Sequence, residues 1–170
     1  VQNLEKAILA YSAAIQFEIN PRLREEAMYN HVQATYLLNS ALGESITAFQ
    51  RFIKEYPHSK YIDKVYALMA DMYLTCKNYH AALEALLEIE KPNAKVQQTC
   101  LYLRYQLAAD AFLQDKMSEV LKWTNEIITK EVVTSEYKTE AYYLSAQASY
   151  RLRQYQQTIE NLEQYQQQPN

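Results

Sequence analysis

The sequence contains very little glycine or proline, the two residues that most often shape turns and interrupt regular structure. Its 170 residues include one glycine, Gly43, and four prolines. A protein built from many short strands needs many such turns, so the scarcity favours helices joined by short loops. A lone glycine also excludes a glycine-rich loop that cradles phosphate groups.

Long runs of positive charge and of apolar residues are absent as well. The formal net charge is −3 at pH 7 with both signs interspersed, and no Lys/Arg run is available to neutralise phosphates. We therefore expect neither nucleic acid nor an anionic membrane surface as a partner. The longest nearly apolar stretch, residues 7–15, is too short to cross a bilayer, so we expect no membrane-spanning segment.

The sequence offers few groupings of residues that could bind a metal or catalyse a reaction. The three histidines, His31, His58 and His80, lie in different local environments, and the two cysteines lack the short spacing of metal ligands. Neighbouring carboxylates such as Glu25 and Glu26 are explained by a solvated helix face. The sequence therefore predicts a protein that is not an enzyme and holds no metal or cofactor.

What the sequence does contain is an internal period of 37 or 38 residues. One column of this repeat is followed directly by a column that is aliphatic throughout. The two columns are Ala7, Ser45, Ala82, Val120 and Thr158, then Ile8, Ile46, Leu83, Leu121 and Ile159. Within each unit, apolar residues recur at the spacing of a helix face, break off briefly, and resume on a second such face. A fixed period of this size indicates stacked helix hairpins.

The period predicts an all-α chain of about nine helices in one array over residues 1–170. A lone helix at 3–21 precedes helix pairs at 22–57, 59–91, 94–131 and 135–168. Because the chain begins at Val1 and the repeat is already under way at Leu4, we expect a fragment of a longer protein. The lone helix would then be the second half of a truncated repeat, and the exposed ends of the array could join two copies into a dimer.

These columns resemble the tetratricopeptide repeat family. In the second repeat, the residues standing where the family has Trp, Leu, Gly, Tyr, Ala, Phe and Pro are Tyr29, Val32, Gln33, Tyr36, Ser45, Phe49 and Pro57. The unit is longer than the family's by three to four residues, and the helix-contact glycine is replaced by Gln33, Ala70, Ala108 and Ala146. The resemblance implies a right-handed α-α superhelix whose concave groove binds protein partners.

The segment Ala48–Tyr61 is similar to a subtype of this repeat that is common in envelope proteins of Gram-negative bacteria. Outer-membrane-assembly lipoproteins and periplasmic scaffolds belong to that subtype. The similarity implies a periplasmic or outer-membrane-associated location, with the cytoplasm as the open alternative.

The resemblance also indicates which residues line the groove, because the family forms it from a stripe of first-helix positions beside the core stripe. Here that stripe carries five aromatic candidates, Tyr102, Tyr105, Phe112, Tyr143 and Tyr150, and four polar ones, Lys64, Asp71, Glu140 and Gln147. Tyrosine offers a large apolar area and a hydroxyl at low conformational cost, which suits a binding surface. The plainer alternative is that these rings fill space between longer helices.

The main hypothesis is a non-catalytic scaffold that binds an extended or helical segment of a partner protein in the groove. Glycan binding is an alternative, because tyrosine platforms also suit sugar rings. Against it, the loops are short and the only tryptophan, Trp123, lies on a second helix. A further alternative is a scaffold module of a larger cell-envelope enzyme whose catalytic domain lies outside this chain.

Overall fold

The computed structural model describes residues 2–17, 20–38, 42–129 and 136–168. These ranges contain nine helices and no strand, which confirms the all-α prediction. The helices are α1 (Gln2–Phe17), α2 (Pro21–Leu38), α3 (Leu42–Glu55), α4 (Ile62–Thr75), α5 (Tyr79–Leu87), α6 (Ala94–Leu113), α7 (Met117–Ile128), α8 (Glu136–Arg151) and α9 (Tyr155–Gln166).

The chain divides into two compact units, residues 1–91 and 92–170. The boundary falls at Pro92, where the sequence predicts the end of one helix pair. Asn93 directly follows Pro92 and is of a residue type that favours helix N-caps. It caps α6, since its side-chain oxygen accepts a hydrogen bond of 3.0 Å from the Val96 N–H. The single array over residues 1–170 stays a prediction. Thr134 and Ser135 are also of residue types that favour N-caps and are predicted to cap the first helix of the last pair, but both lie outside the described residues.

In the first unit, each helix contacts the next one along the chain, and α2 also contacts α4. Phe49 and Phe52 are fully buried at the centre of the core, and the Tyr29 ring lies 6.2 Å from that of Phe52. Ser45 and Ala82, members of the first repeat column, are fully buried as well. The column therefore marks the helix face that packs against neighbouring helices.

The second unit repeats this arrangement, with α6, α7, α8 and α9 in contact successively and α6 also touching α8. Ala108 and Ala146, which replace the family's helix-contact glycine, are buried, as is Ala70 in the first unit. Gln33 differs from them. It is only half-buried, and its Nε2 donates a hydrogen bond of 3.0 Å to the Tyr29 hydroxyl. Small side chains thus occupy three of these four contact positions.

The turns inside three helix pairs share one backbone conformation. Lys77, Asp115 and Arg153 have φ values of 55°, 59° and 61°, in the left-handed region. In each turn the next residue's N–H bonds back to a carbonyl five residues earlier, at 2.9 Å from Asn78 to Tyr73, for example. This pattern is the Schellman motif, in which glycine usually takes the left-handed position. The repeat pattern in the sequence predicts only a short break at these places.

The last helix leaves expected core positions exposed. Tyr155 stands three positions before the first repeat column, a position for which the repeat predicts packing between helices, and 57% of its surface is accessible to solvent. Ile159 and Leu162, from the repeat columns, are also exposed. Within the described part of the chain, α9 contacts only α8, so its outer face has no helix against it. Tyr155 therefore packs against α8 through its ring contact with Tyr150, and the rest of its surface is open to solvent.

Candidate partner-binding surface

The predicted groove residues are divided between the two units. Lys64 and Asp71 lie on α4 in the first unit, and the other seven lie on α6 and α8 in the second. Both α4 residues are exposed. The Asp71 carboxylate accepts a hydrogen bond from the Tyr36 hydroxyl of α2, which raises the pKa of Tyr36, with burial as the second cause. Asp71 is therefore already held by a neighbouring helix.

Tyr102 and Tyr105 lie on the side of α6 that meets α8. They are three residues apart, a spacing that puts both rings on one helix face. Each ring contacts Tyr137 on α8, with centroids 5.9 Å apart in both cases. The Tyr102 ring meets Tyr137 nearly edge-on, at 62°, and the Tyr105 ring is tilted by 39°. Tyr137 is not among the predicted groove residues, because it lies outside the groove stripe.

The core holds part of this aromatic group in place. Tyr105 and Tyr137 pack against the buried residues Leu101, Ile127 and Ala141 while staying partly exposed. Burial raises the pKa of the Tyr105 hydroxyl, and the negative charge of nearby Glu140 raises it further. Glu140 is exposed on α8, three residues after Tyr137 and thus on the same face. It forms no ion pair with any described residue.

Phe112 lies further along α6 and is covered by a cation from the same chain. Its ring packs on a cluster that includes Met117 and Val120. The Arg151 guanidinium lies 4.5 Å from the ring centroid, and its Nη1 donates a hydrogen bond of 3.0 Å to Asp115. A guanidinium in this position attracts the negative face of the ring. Phe112 is thus less available to a partner than the tyrosines are.

Tyr143 and Tyr150 contact the second helix of their own pair. The Tyr143 ring lies 5.4 Å from Tyr165, and the Tyr150 ring 6.0 Å from Tyr155, both on α9. They remain 44% and 63% exposed. Gln147 lies half-buried between them on α8. The structure thus brings Tyr102, Tyr105 and Glu140 together and places Tyr143 and Tyr150 beside α9.

The end of segment 48–61 forms part of a cavity of about 570 Å³ in the first unit, between the α3–α4 connection and the start of α2. Two lining carboxylates already have partners: Ser59 donates to Glu25, and Arg24 and Arg51 bind Glu55. The Arg24–Glu55 pair joins α2 to α3, and the Ser59–Glu25 bond joins the α3–α4 connection to α2. The segment therefore acts here as a structural junction.

Other kinds of site have little support in the described ranges. No three His, Cys, Asp or Glu side chains there form a group that could hold a metal ion. None of the described helices is long and apolar enough to cross a membrane.

Comparison with known proteins adds only a distant likeness. No family model matches the sequence, and no curated protein matches it either. Among solved structures, a protein of Podosopora anserina described as a kinesin light chain with nearly identical TPR-like repeats aligns at 14% identity and a TM-score of 0.47, over 97% of this chain and 84% of that one. A variant of the same protein aligns at 14% identity and a TM-score of 0.43, over 97% and 87%. Because the identities and TM-scores are this low, the description of the architecture rests on the helix contacts of this chain alone.

Proposed function

We propose that this chain is a non-catalytic helical-repeat scaffold and that its second unit binds an extended or helical segment of a partner protein along α6 and α8. The observation that carries the proposal is the group formed by Tyr102, Tyr105 and Tyr137. Core side chains support Tyr105 and Tyr137 from beneath, and all three rings keep part of their surface exposed. Rings held in this way gain contact area on binding and lose little conformational freedom.

The repeat pattern supports the same class of function. Helix pairs that recur at a fixed period build a continuous surface from equivalent positions of successive first helices. The resemblance of the repeat columns to tetratricopeptide repeats points to a protein as the ligand. A location in the bacterial envelope is also a proposal, and its support is the sequence of residues 48–61 alone.

The test is the affinity of variants for a partner isolated with the unmodified chain. The immobilised chain captures proteins from an extract of its source cells, and the retained partner is then purified and titrated. We expect Tyr102→Ala/Tyr105→Ala to weaken binding by about 10-fold or more, because buried aromatic anchors dominate interface energies. Since Tyr105 also packs on the core, the single variant Tyr102→Ala is measured beside it, and circular dichroism checks that both remain helical.

The matched control removes two tyrosines from the other exposed aromatic group. Tyr155→Ala/Tyr165→Ala deletes the same chemical groups from α9 and leaves α6 and the Tyr137 contacts intact. We expect it to bind the partner as the unmodified chain does. Unchanged affinity in both α6 variants, or a loss confined to the α9 variant, would contradict the proposed surface.

A further inference from the structure

Two helix faces bring three tyrosine rings and one carboxylate together in the second unit. We call this group, Tyr102, Tyr105, Tyr137 and Glu140, the Tyr–Glu cluster. On each helix the two members are three residues apart, and α6 and α8 are in contact. Because the rings of Tyr102 and Tyr105 meet that of Tyr137 at different angles, the three do not form a single parallel stack. Ring faces and a carboxylate therefore lie around one small area.

This combination of groups favours a cation over other ligands. The face of an aromatic ring carries partial negative charge, and cations bind over it at distances of up to about 6 Å. Sites with several such rings recognise ammonium groups. The Glu140 carboxylate adds attraction for a positive charge and repels an acidic side chain. A neutral apolar side chain would make no favourable electrostatic interaction with the Glu140 carboxylate.

A ring and a carboxylate elsewhere in this chain already share a cation. At Phe112, the guanidinium of Arg151 covers the ring and pairs with the carboxylate of Asp115. Tyr105 and Glu140 offer an equivalent ring and carboxylate, and neither has a lysine or arginine partner among the described residues. A guanidinium or ammonium group supplied by another molecule can complete this pair in the way that Arg151 completes the pair at Phe112 and Asp115.

We propose that the Tyr–Glu cluster binds the positively charged head of an arginine or lysine side chain of the partner protein. The proposal rests on the proposed function and specifies which partner side chain the surface takes. Arginine fits better than lysine, because its planar guanidinium can lie on a ring and donate to a carboxylate at once, as Arg151 does beside Phe112.

The test uses two short peptides that differ in one charge. The probe is the pentapeptide acetyl-Ala-Leu-Arg-Leu-Ala-amide, and its counterpart carries citrulline, a neutral group of the same shape, in place of arginine. Each is titrated into ring-labelled protein and followed by NMR. We expect the arginine peptide to shift the ring signals of Tyr102, Tyr105 and Tyr137, and to bind about 5-fold more tightly than the citrulline peptide.

A matched pair of variants assigns the preference to the cluster. Glu140→Gln keeps the size of the side chain and removes its charge, and we expect it to abolish most of the difference between the peptides. Glu163→Gln makes the same change at an exposed position of α9 and should leave the difference intact. Equal affinity for both peptides, absence of ring shifts at millimolar peptide, or unchanged discrimination in Glu140→Gln would overturn the proposal.

The two proposals fail in different ways. If Tyr102→Ala weakens binding of the isolated partner but the unmodified protein binds both peptides equally, the surface stands and the cation preference is wrong. If the arginine peptide is preferred through Glu140 while the partner's affinity is insensitive to Tyr102 and Tyr105, the cluster binds cations and the proposed partner surface is wrong.

Discussion

Arg24 of α2 and Glu55 of α3 form an ion pair, with the Arg24 Nη2 atom 2.8 Å from the Glu55 Oε2 atom. Arg24 also donates to the Ile15 carbonyl of α1 and to the Tyr56 hydroxyl, so one guanidinium ties three successive helices. Arg51 binds the second oxygen of Glu55. Arginine suits this role because its planar group offers five donors in a fixed arrangement.

The stability of this junction should depend on pH. Hydrogen bonds from Arg51 and then Arg24 hold the pKa of Glu55 below its ordinary value of 4.5. A carboxyl whose folded pKa is depressed stabilises the fold above its unfolded pKa, and this contribution is lost as pH falls through the folded pKa. We expect urea denaturation to show a decline in unfolding free energy below about pH 4.5 that is smaller in Glu55→Gln. The control is Glu26→Gln, a position with no described ion pair, which should show the same decline as the unmodified protein. If the unfolding free energy falls equally with pH in all three proteins, the assignment to Glu55 is wrong.

Replacing Lys77, which has a left-handed backbone conformation, by glycine should stabilise the protein. A residue with a Cβ atom in this conformation costs about 1–2 kcal/mol, and glycine avoids that cost at an entropic penalty of about 0.5–1 kcal/mol. We expect Lys77→Gly to raise the unfolding free energy by about 0.5–1 kcal/mol in urea denaturation. The control is Lys122→Gly at an exposed position in the interior of α7, which should lower it by about 1 kcal/mol. Destabilisation by Lys77→Gly would show that the lysine side chain contributes more there than its backbone conformation costs.

The buried Arg104 depends on its partner Glu126. Its Nε donates a hydrogen bond of 2.9 Å to the Glu126 carboxylate across α6 and α7, and its side chain is only 5% exposed. We expect Glu126→Ala to destabilise the protein by about 2–3 kcal/mol, because it leaves a buried charge without its carboxylate. The double variant Arg104→Met/Glu126→Leu should recover most of that loss, and Glu119→Ala on the exposed side of α7 should change little. A double variant no better than Glu126→Ala would rule out the unpaired charge as the cause.

The contact between Tyr36 and Asp71 can be measured directly. The hydrogen bond to Asp71 is the main reason that the pKa of Tyr36 lies above 10.0, its ordinary value. We expect Asp71→Asn to lower the pKa of Tyr36 in an ultraviolet pH titration, with Tyr36→Phe identifying the signal. Asp110→Asn, an exposed change on α6, should leave the titration as it is. An unchanged Tyr36 pKa in Asp71→Asn would mean that the two side chains do not bond in solution.

Much of the fold could be predicted because it depends on local patterns. The period of 37 or 38 residues and the helix-face spacing identify the helices, and the cap at Asn93 follows from residue type alone. The turns could not be predicted in the same way. Lys77 and Arg153 have no intrinsic preference for the left-handed region, and Asp115 is of a type that adopts it only somewhat more often than most residues. The requirement that two helices pack side by side across a three-residue connection imposes that conformation on them.

The aromatic surface of the proposed site was predicted less completely, because it depends on how helices rotate against one another. Tyr137 lies outside the expected stripe, and only the packing of α8 on α6 brings it to Tyr102 and Tyr105. Tyr143 and Tyr150 lie on the expected stripe, yet their rings contact α9. A repeat pattern indicates which face of a helix is near a groove. It does not determine which neighbouring helix each ring at the edge of that face will touch.

The most direct test of the proposed function is site-specific photo-crosslinking in the source cells. A photoreactive phenylalanine analogue replaces Tyr102 on α6 in one protein and Tyr155 on α9 in another, and adducts are identified by mass spectrometry. We predict that one partner protein is attached through position 102 and is not attached through position 155. Attachment of the same partner through position 155 alone, or no protein adduct at position 102, would contradict the assignment of the binding surface to α6 and α8.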